Sequence, residues 1–297
     1  MLTGSIVALV TPFRDGQIDE TGLRRLLRMH LEHETDGIVP CGTTGEAVTL
    51  SHEEYERVIA ITVEEVGGRI PVIAGAGTND TAKTIAMSRY AQSAGVDGLL
   101  IVTPYYNRPT QRGLVAHYRA IAASTNLPII MYNVPSRTGT NLLPETVAEL
   151  AQVDQIVGIK EASGNLDQVS AIVHRCGDGF TVLSGDDSLT LPILAVGGKG
   201  VISVTANIAP REVARMVRAF REGNSAEARR LHNHLFPVSR ALFVETNPGP
   251  VKAALALMGL ISGEMRLPLV PPSDANLRLI RETIDQAGLL AGTEQAA

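Results

Sequence analysis

Eight short apolar runs, each followed by a helical pattern, recur at a nearly constant beat along most of this chain. The runs are Ser5–Val10, Gly37–Pro40, Ile70–Ala74, Asp97–Val102, Leu127–Tyr132, the stretch from Ile156 that closes on Lys160, Phe180–Ser184 and Gly200–Val204. They are continuous rather than alternating, as parallel strands buried on both faces should be. Asp19 caps a helix whose Leu23, Leu26, Leu27, His30 and Leu31 form one stripe. Ser51-His52-Glu53-Glu54 is a capping box opening a second helix. Others start from Asp80 and end near Gly95, follow Gly113, open at Pro144, and carry Leu166, Val169, Ile172 and Val173. Eight such units in about 222 residues predict a closed (β/α)₈ barrel, a TIM barrel, with a doubly wound open sheet as the alternative. Residues 1–223 are therefore assigned to the barrel. Residues 224–297 show only helical patterns, read as a C-terminal helical extension packed on it and fraying from Ala291.

Composition narrows the function class. A net charge of −5 argues against a nucleic-acid binder, which shows a basic face. Two cysteines, Cys41 and Cys176, suggest a reducing compartment rather than a disulfide framework. The first thirteen residues lack the basic start of a signal peptide, and their apolar run is too short to span a bilayer. The expectation is a soluble cytoplasmic protein with neither membrane nor nucleic acid as partner.

In a (β/α)₈ barrel the chemistry sits where strands end and the following loops begin. The sixth run ends on Lys160, and a lysine at the end of a buried strand is costly because an ammonium loses hydration there. One reading is a lysine that snorkels to solvent. The other is a desolvated amine of lowered pKa, a nucleophile for carbonyl compounds. After the second strand, Gly42-Thr43-Thr44-Gly45-Glu46 offers amides and hydroxyls to an anion, or is a plain tight turn. Tyr132 ends the neighbouring strand, where its hydroxyl either faces the amine or caps a core hydrogen bond. Arg137, on the loop after it, suits a carboxylate, although a lone loop arginine is often solvated. Together these residues describe a pocket that forms an imine with a 2-oxo acid and holds its carboxylate.

Other motifs fail on mechanics. Gly75–Asp80 lacks the third glycine of a dinucleotide loop. Gly197-Gly198-Lys199-Gly200 lacks the hydroxyl residue of a P-loop and precedes a strand. A metal-dependent barrel hydrolase wants His-x-His after the first strand, where Val10-Thr11-Pro12 stands. Asp186-Asp187 reads as carboxylates favouring a helix start rather than as a metal site. Cys41 has no histidine placed to activate it.

GTTGE at 42–46, YNVPSRTG at 132–139, GIKEASG at 158–164, SGDD at 184–187 and NPGPVK at 247–252 resemble, in order and spacing, the dihydrodipicolinate synthase family. The resemblance spans essentially the whole chain. The wider superfamily of pyruvate lyases, N-acetylneuraminate lyase included, shares the tyrosine, the lysine and the glycine turn. Arg137 belongs to the synthase pattern and disfavours another pyruvate-dependent aldolase, which stays the alternative. The resemblance implies that Lys160 forms a Schiff base with pyruvate and that Thr43 and Thr44 hold its carboxylate. Tyr132 would relay protons through Thr44 to Tyr106, the last supplied by a neighbouring subunit. Arg137 would bind the carboxylate of aspartate semialdehyde, and Gly185 and Ile202 would give backbone contacts around the lysine. It further implies a homotetramer, a dimer of dimers, working without metal or organic cofactor. Family members inhibited by lysine carry an acidic residue where this chain has Lys83, with Ala47 and Tyr55 replacing a serine and a histidine. Weak or absent feedback by lysine is the expectation.

Overall fold

The computed structural model describes residues 2–290. Eight parallel strands run β1 Gly4–Ala8, β2 Gly37–Val39, β3 Ile73–Gly75, β4 Gly98–Val102, β5 Ile129–Asn133, β6 Ile156–Glu161, β7 Thr181–Ser184 and β8 Gly200–Ser203. Each pairs with its neighbour in sequence, and β8 pairs back onto β1. An Ile38–Val72 bridge joins β2 to the start of β3, closing the (β/α)₈ barrel. The helices behind the strands are α1 Glu20–Glu32, α2 His52–Val66, α3 Thr81–Ser93, α4 Gln111–Ala122, α5 Pro144–Leu150, α6 Leu166–Cys176, α7 Thr190–Ala195 and α8 Pro210–Arg221. Three more, α9 Ser225–Ala241, α10 Gly249–Leu257 and α11 Asp274–Gln286, complete the chain. The tail expected to fray from Ala291 lies outside the described residues. Among the described residues no helix is long and apolar enough to cross a membrane.

The capping signals act as the residue types require. Asp19 accepts from Gly22 N–H, and the Ser51–Glu54 box forms in both directions. Two strands start two or more residues later than their apolar runs, after Pro71 and Pro128. A proline has no N–H for the ladder, but both carbonyls still accept, from Ile38 N and Leu99 N at 2.9 Å. The helix expected after Gly113 begins two residues earlier, because Thr110 caps it by accepting from Gly113 N–H. A short hairpin, Phe13–Arg14 with Gln17–Ile18, and a helical turn, Pro135–Thr138, are additions that the apolar pattern does not signal.

Strand parity sorts the side chains into two cores. Ile6, Ala8, Val39, Ile73, Leu100, Ile130, Tyr132, Leu183 and Ile202 fill the lumen. Val7, Ile38, Leu99, Ile101, Ile129, Met131, Ile159 and Val182 face the helices. Since Ile159 points outward, Lys160 points inward, and register sets it level with Tyr132 on one side and Leu183 on the other.

The C-terminal helices are tied into the barrel by charge as well as by packing. Glu46, in the left-handed region at φ 53°, and Lys252 of α10 form a fully buried ion pair. The Lys252 ammonium sits 4.3 Å from the Phe13 ring centroid, and the second Glu46 oxygen accepts from Arg266 N at 3.2 Å. Neither residue of this pair stands out in the sequence, although both fall inside quoted motifs. Stripping the charge with Lys252→Met leaves the carboxylate buried and unpaired. Chemical denaturation should show a loss of about 3–5 kcal/mol. A loss below about 1 kcal/mol would mean that the pair is incidental.

Candidate active site

The Lys160 side chain is 5% exposed and lies in a cleft at the C-terminal end of the barrel. A cavity of about 250 Å³ is lined there by Thr43, Thr44, Tyr132, Arg137, Lys160 and Asn247, among others. A contiguous space of about 230 Å³ shares Thr43, Tyr132, Val134 and Arg137 with it. Lys160 Nζ stands 4.1 Å from the centre of the Tyr132 ring and makes no ion pair among the described residues. Burial, and secondarily Arg137, bring its pKa down to about 7, against an opposing pull from the Asp187 carboxylate. The snorkelling alternative for this lysine is thereby excluded.

Neighbouring groups fix this arrangement. Gly185 packs against the lysine stem; a Cβ there would lie 3.1 Å from Lys160 Cε and 2.7 Å from Ala162 Cβ. Ile202 lies in the lumen core beneath. Glu161, one residue after the lysine and on the opposite face, accepts from Asn133 Nδ2 at 2.9 Å, Gln168 Nε2 at 3.2 Å and Ser163 N at 2.7 Å. These bonds lock the ends of β5 and β6, and so the spacing between Tyr132 and Lys160.

The glycine turn is closed by bonds from the N–H groups of Gly45, Glu46 and Ala47. Those of Thr43 and Thr44 are not spent on it. The Tyr132 phenol is pushed up to about 12 by burial, against Arg137 and Thr43, which both favour its ionised form. Within one chain, then, the hydroxyl beside the phenol is that of Thr43. Thr44 Oγ1 instead accepts from Asn247 Nδ2 at 3.0 Å. Asn247 also takes a bond through its carbonyl from Arg137 Nη2 at 3.1 Å, so one residue of the C-terminal region touches both the threonine turn and Arg137. Tyr106 is 90% exposed, has φ 73° and lines neither space.

Asp186 and Asp187 divide the task the sequence assigns to both. Asp186 caps the following turn by accepting from Ser188 N. Asp187 is buried and accepts from the Ser203 hydroxyl, Val204 N at 2.8 Å and Thr205 N at 3.1 Å, clamping β7 to β8. Burial raises its carboxyl, opposed by these three donors. This clamp, the Asn247 bridge and the Glu46–Lys252 pair are the parts of the site that motif reading passes over. Cys41 is buried, and burial pushes its thiol up, away from a reactive thiolate. Among the described residues no group of three His, Cys, Asp or Glu side chains is placed to hold a metal ion.

A family model described as the dihydrodipicolinate synthetase family matches residues 1–287. The chain belongs to that family. A relative from Syntrophus aciditrophicus, named 4-hydroxy-tetrahydrodipicolinate synthase, is 56% identical over 98% of this chain and 100% of its own length. One of the same name from Citrifermentans bemidjiense is 58% identical over 93% and 96% of the two chains. The crystal structure of dihydrodipicolinate synthase from Aquifex aeolicus superposes with a TM-score of 0.96 at 47% identity, covering 97% of this chain and 99% of that one.

A lysine of pKa about 7 is half unprotonated at neutral pH. That is about 10³-fold more free amine than an ordinary lysine offers. Because the unprotonated form is the nucleophile, the rate of Lys160 modification by an amine-directed reagent should rise with pH and reach half its plateau near 7. A midpoint near 10 would show the amine to be solvated.

Proposed function

We propose that this family member condenses pyruvate with L-aspartate 4-semialdehyde through a Schiff base on Lys160, giving 4-hydroxy-tetrahydrodipicolinate for lysine and diaminopimelate biosynthesis. The observation that carries the reading is a dry, unpaired amine 4.1 Å from a buried phenol ring. The neutral amine attacks the pyruvate carbonyl; loss of water from the carbinolamine gives the imine, and loss of a methyl proton gives the enamine. Its carbon then attacks the aldehyde, and ring closure onto the imine carbon returns Lys160. Thr43 and Thr44 hold the pyruvate carboxylate, Tyr132 exchanges protons at the imine, and Arg137 receives the carboxylate of the aldehyde. Gly185 and Ile202 shape the space around the amine. The relatives' names and the geometry support this over a sugar-acid lyase of the same fold, since Arg137 lines the cleft and is tied to Asn247.

Borohydride treatment in the presence of pyruvate, followed by peptide mass mapping, tests the chemistry. The reduced adduct is expected on Lys160; an adduct on any other residue would sink the mechanism. Turnover with aspartate semialdehyde, and none with N-acetylneuraminate or 2-keto-3-deoxy sugar acids, separates the two readings.

The outward Tyr106 supports a second proposal, that a neighbouring copy of the chain supplies this phenol to complete the Tyr132–Thr44–Tyr106 series. A homotetramer, a dimer of dimers, in the cytoplasm is the corresponding assembly and location. Tyr106→Phe should lower kcat about a hundredfold or more with an unchanged melting curve, the usual scale for losing one proton-transfer group. Unchanged turnover would remove Tyr106 from the relay. A cavity of about 490 Å³, sharing Ala47, Val48 and Tyr105 with the 230 Å³ space, is lined on its far side by His52, Tyr55, Asn79 and Lys83. Lysine entering it would meet the Lys83 ammonium, a repulsion of about 1–4 kcal/mol at 4 Å. A steady-state assay should show little inhibition by millimolar lysine; strong inhibition below 1 mM, taken here as an order-of-magnitude threshold, would refute this.

A further inference from the structure

The cleft around Lys160 is lined by two further cationic side chains, Arg137 and Arg240, and by a single carboxylate, Asp186. That carboxylate follows Gly185, the residue packed against the lysine stem. Its position is fixed from several sides. Oδ1 accepts from Ser188 N at 3.0 Å and Ser188 Oγ at 2.8 Å. The main chain at Asp186 is tied both ways to Ser184 Oγ, which donates to its carbonyl at 2.7 Å and accepts from its N–H at 3.2 Å. Oδ2 has no such partner, and Asp186 makes no ion pair among the described residues. One oxygen of the carboxylate is thus spent on capping a turn, while Oδ2 makes no hydrogen bond among the described residues, in a residue that lines the cleft.

We propose that Asp186 is a specificity-determining residue that receives the α-ammonium group of the aldehyde substrate while Arg137 receives its carboxylate. This inference rests on the reaction assigned above. An amino-acid aldehyde carries one positive and one negative group on the same carbon, whereas pyruvate carries only a negative one. The threonine turn and the arginines answer both carboxylates. Only Asp186, among the residues lining the cleft, answers the ammonium. A charge-assisted hydrogen bond of this kind contributes more than a neutral one, since both partners give up water in a half-enclosed space. The carboxylate therefore favours an amino-bearing aldehyde over the same aldehyde without nitrogen, a distinction that neither Lys160 nor Arg137 makes.

The test is Asp186→Asn, which keeps an oxygen to accept from Ser188 and removes the charge. In the variant, KM for aspartate semialdehyde should rise about tenfold or more, the scale of losing one charged hydrogen bond. The inhibition constant of succinate semialdehyde, which has the same carboxylate and aldehyde but no amino group, should change less than about twofold. KM for pyruvate should likewise hold. Asp186→Ala, which also removes the cap, separates the two roles: it should match the asparagine variant in KM while melting lower. Equal effects on both aldehydes, or no effect on either, would overturn the assignment and leave Asp186 as a cap. If wild-type protein forms no pyruvate adduct on Lys160, the underlying reaction fails first, and the inference falls with it.

Discussion

An ammonium group moved out of water loses solvation worth many kcal/mol, and this cost organises the molecule around Lys160. The chain buries two lysines completely enough to feel it and resolves the cost in opposite ways. Lys252 is given a carboxylate, Glu46, and stays a structural ion pair. Lys160 is given the face of a phenol ring and no ion-pair partner, so its proton is weakly held and its lone pair becomes usable near neutral pH. What differs between them is the partner that the fold puts within reach. A carboxylate beside Lys160 as close as Glu46 is to Lys252 would hold the proton on the amine and make it a second strut.

The same contrast explains why the C-terminal helices belong to the site. The turn that carries Thr43 and Thr44 ends in Glu46, and Glu46 is held by Lys252 and by the amide of Arg266. Asn247 then fixes the Thr44 hydroxyl from one side and Arg137 from the other. The helical region is thus less an appendage than the back wall of the turn that carries Thr43 and Thr44. Across the barrel, Asp187 performs the corresponding service, drawing the ends of β7 and β8 together by three hydrogen bonds.

Much of this was legible from residue order. The eight apolar runs, the caps at Asp19 and Ser51, and the end-of-strand positions of Lys160 and Tyr132 follow from local rules of periodicity and hydrogen-bond supply. Boundaries slipped where a single residue overrode the pattern, at Pro71, Pro128 and Thr110. The paired carboxylates at 186 and 187 look alike in a sequence, yet one faces the cleft and the other is buried against β8. Neighbouring residues at a turn diverge because the chain leaves the strand there, so the period of two no longer says which way each points.

The sequence by itself determined the repeating unit, the end-of-strand positions of Lys160 and Tyr132, and the chemical types gathered at one rim, because each is a property of neighbours along the chain. Tertiary structure alone decided that Glu46 meets Lys252 across 206 positions, that Asn247 joins Thr44 to Arg137, and that the Lys160 amine meets a phenol ring and, among the described residues, no ion-pair partner. Those are contacts between elements whose separation in sequence carries no periodic signal. They arise only when the sheet closes and the last helices pack against it, and the pKa of a buried amine is set by that closure.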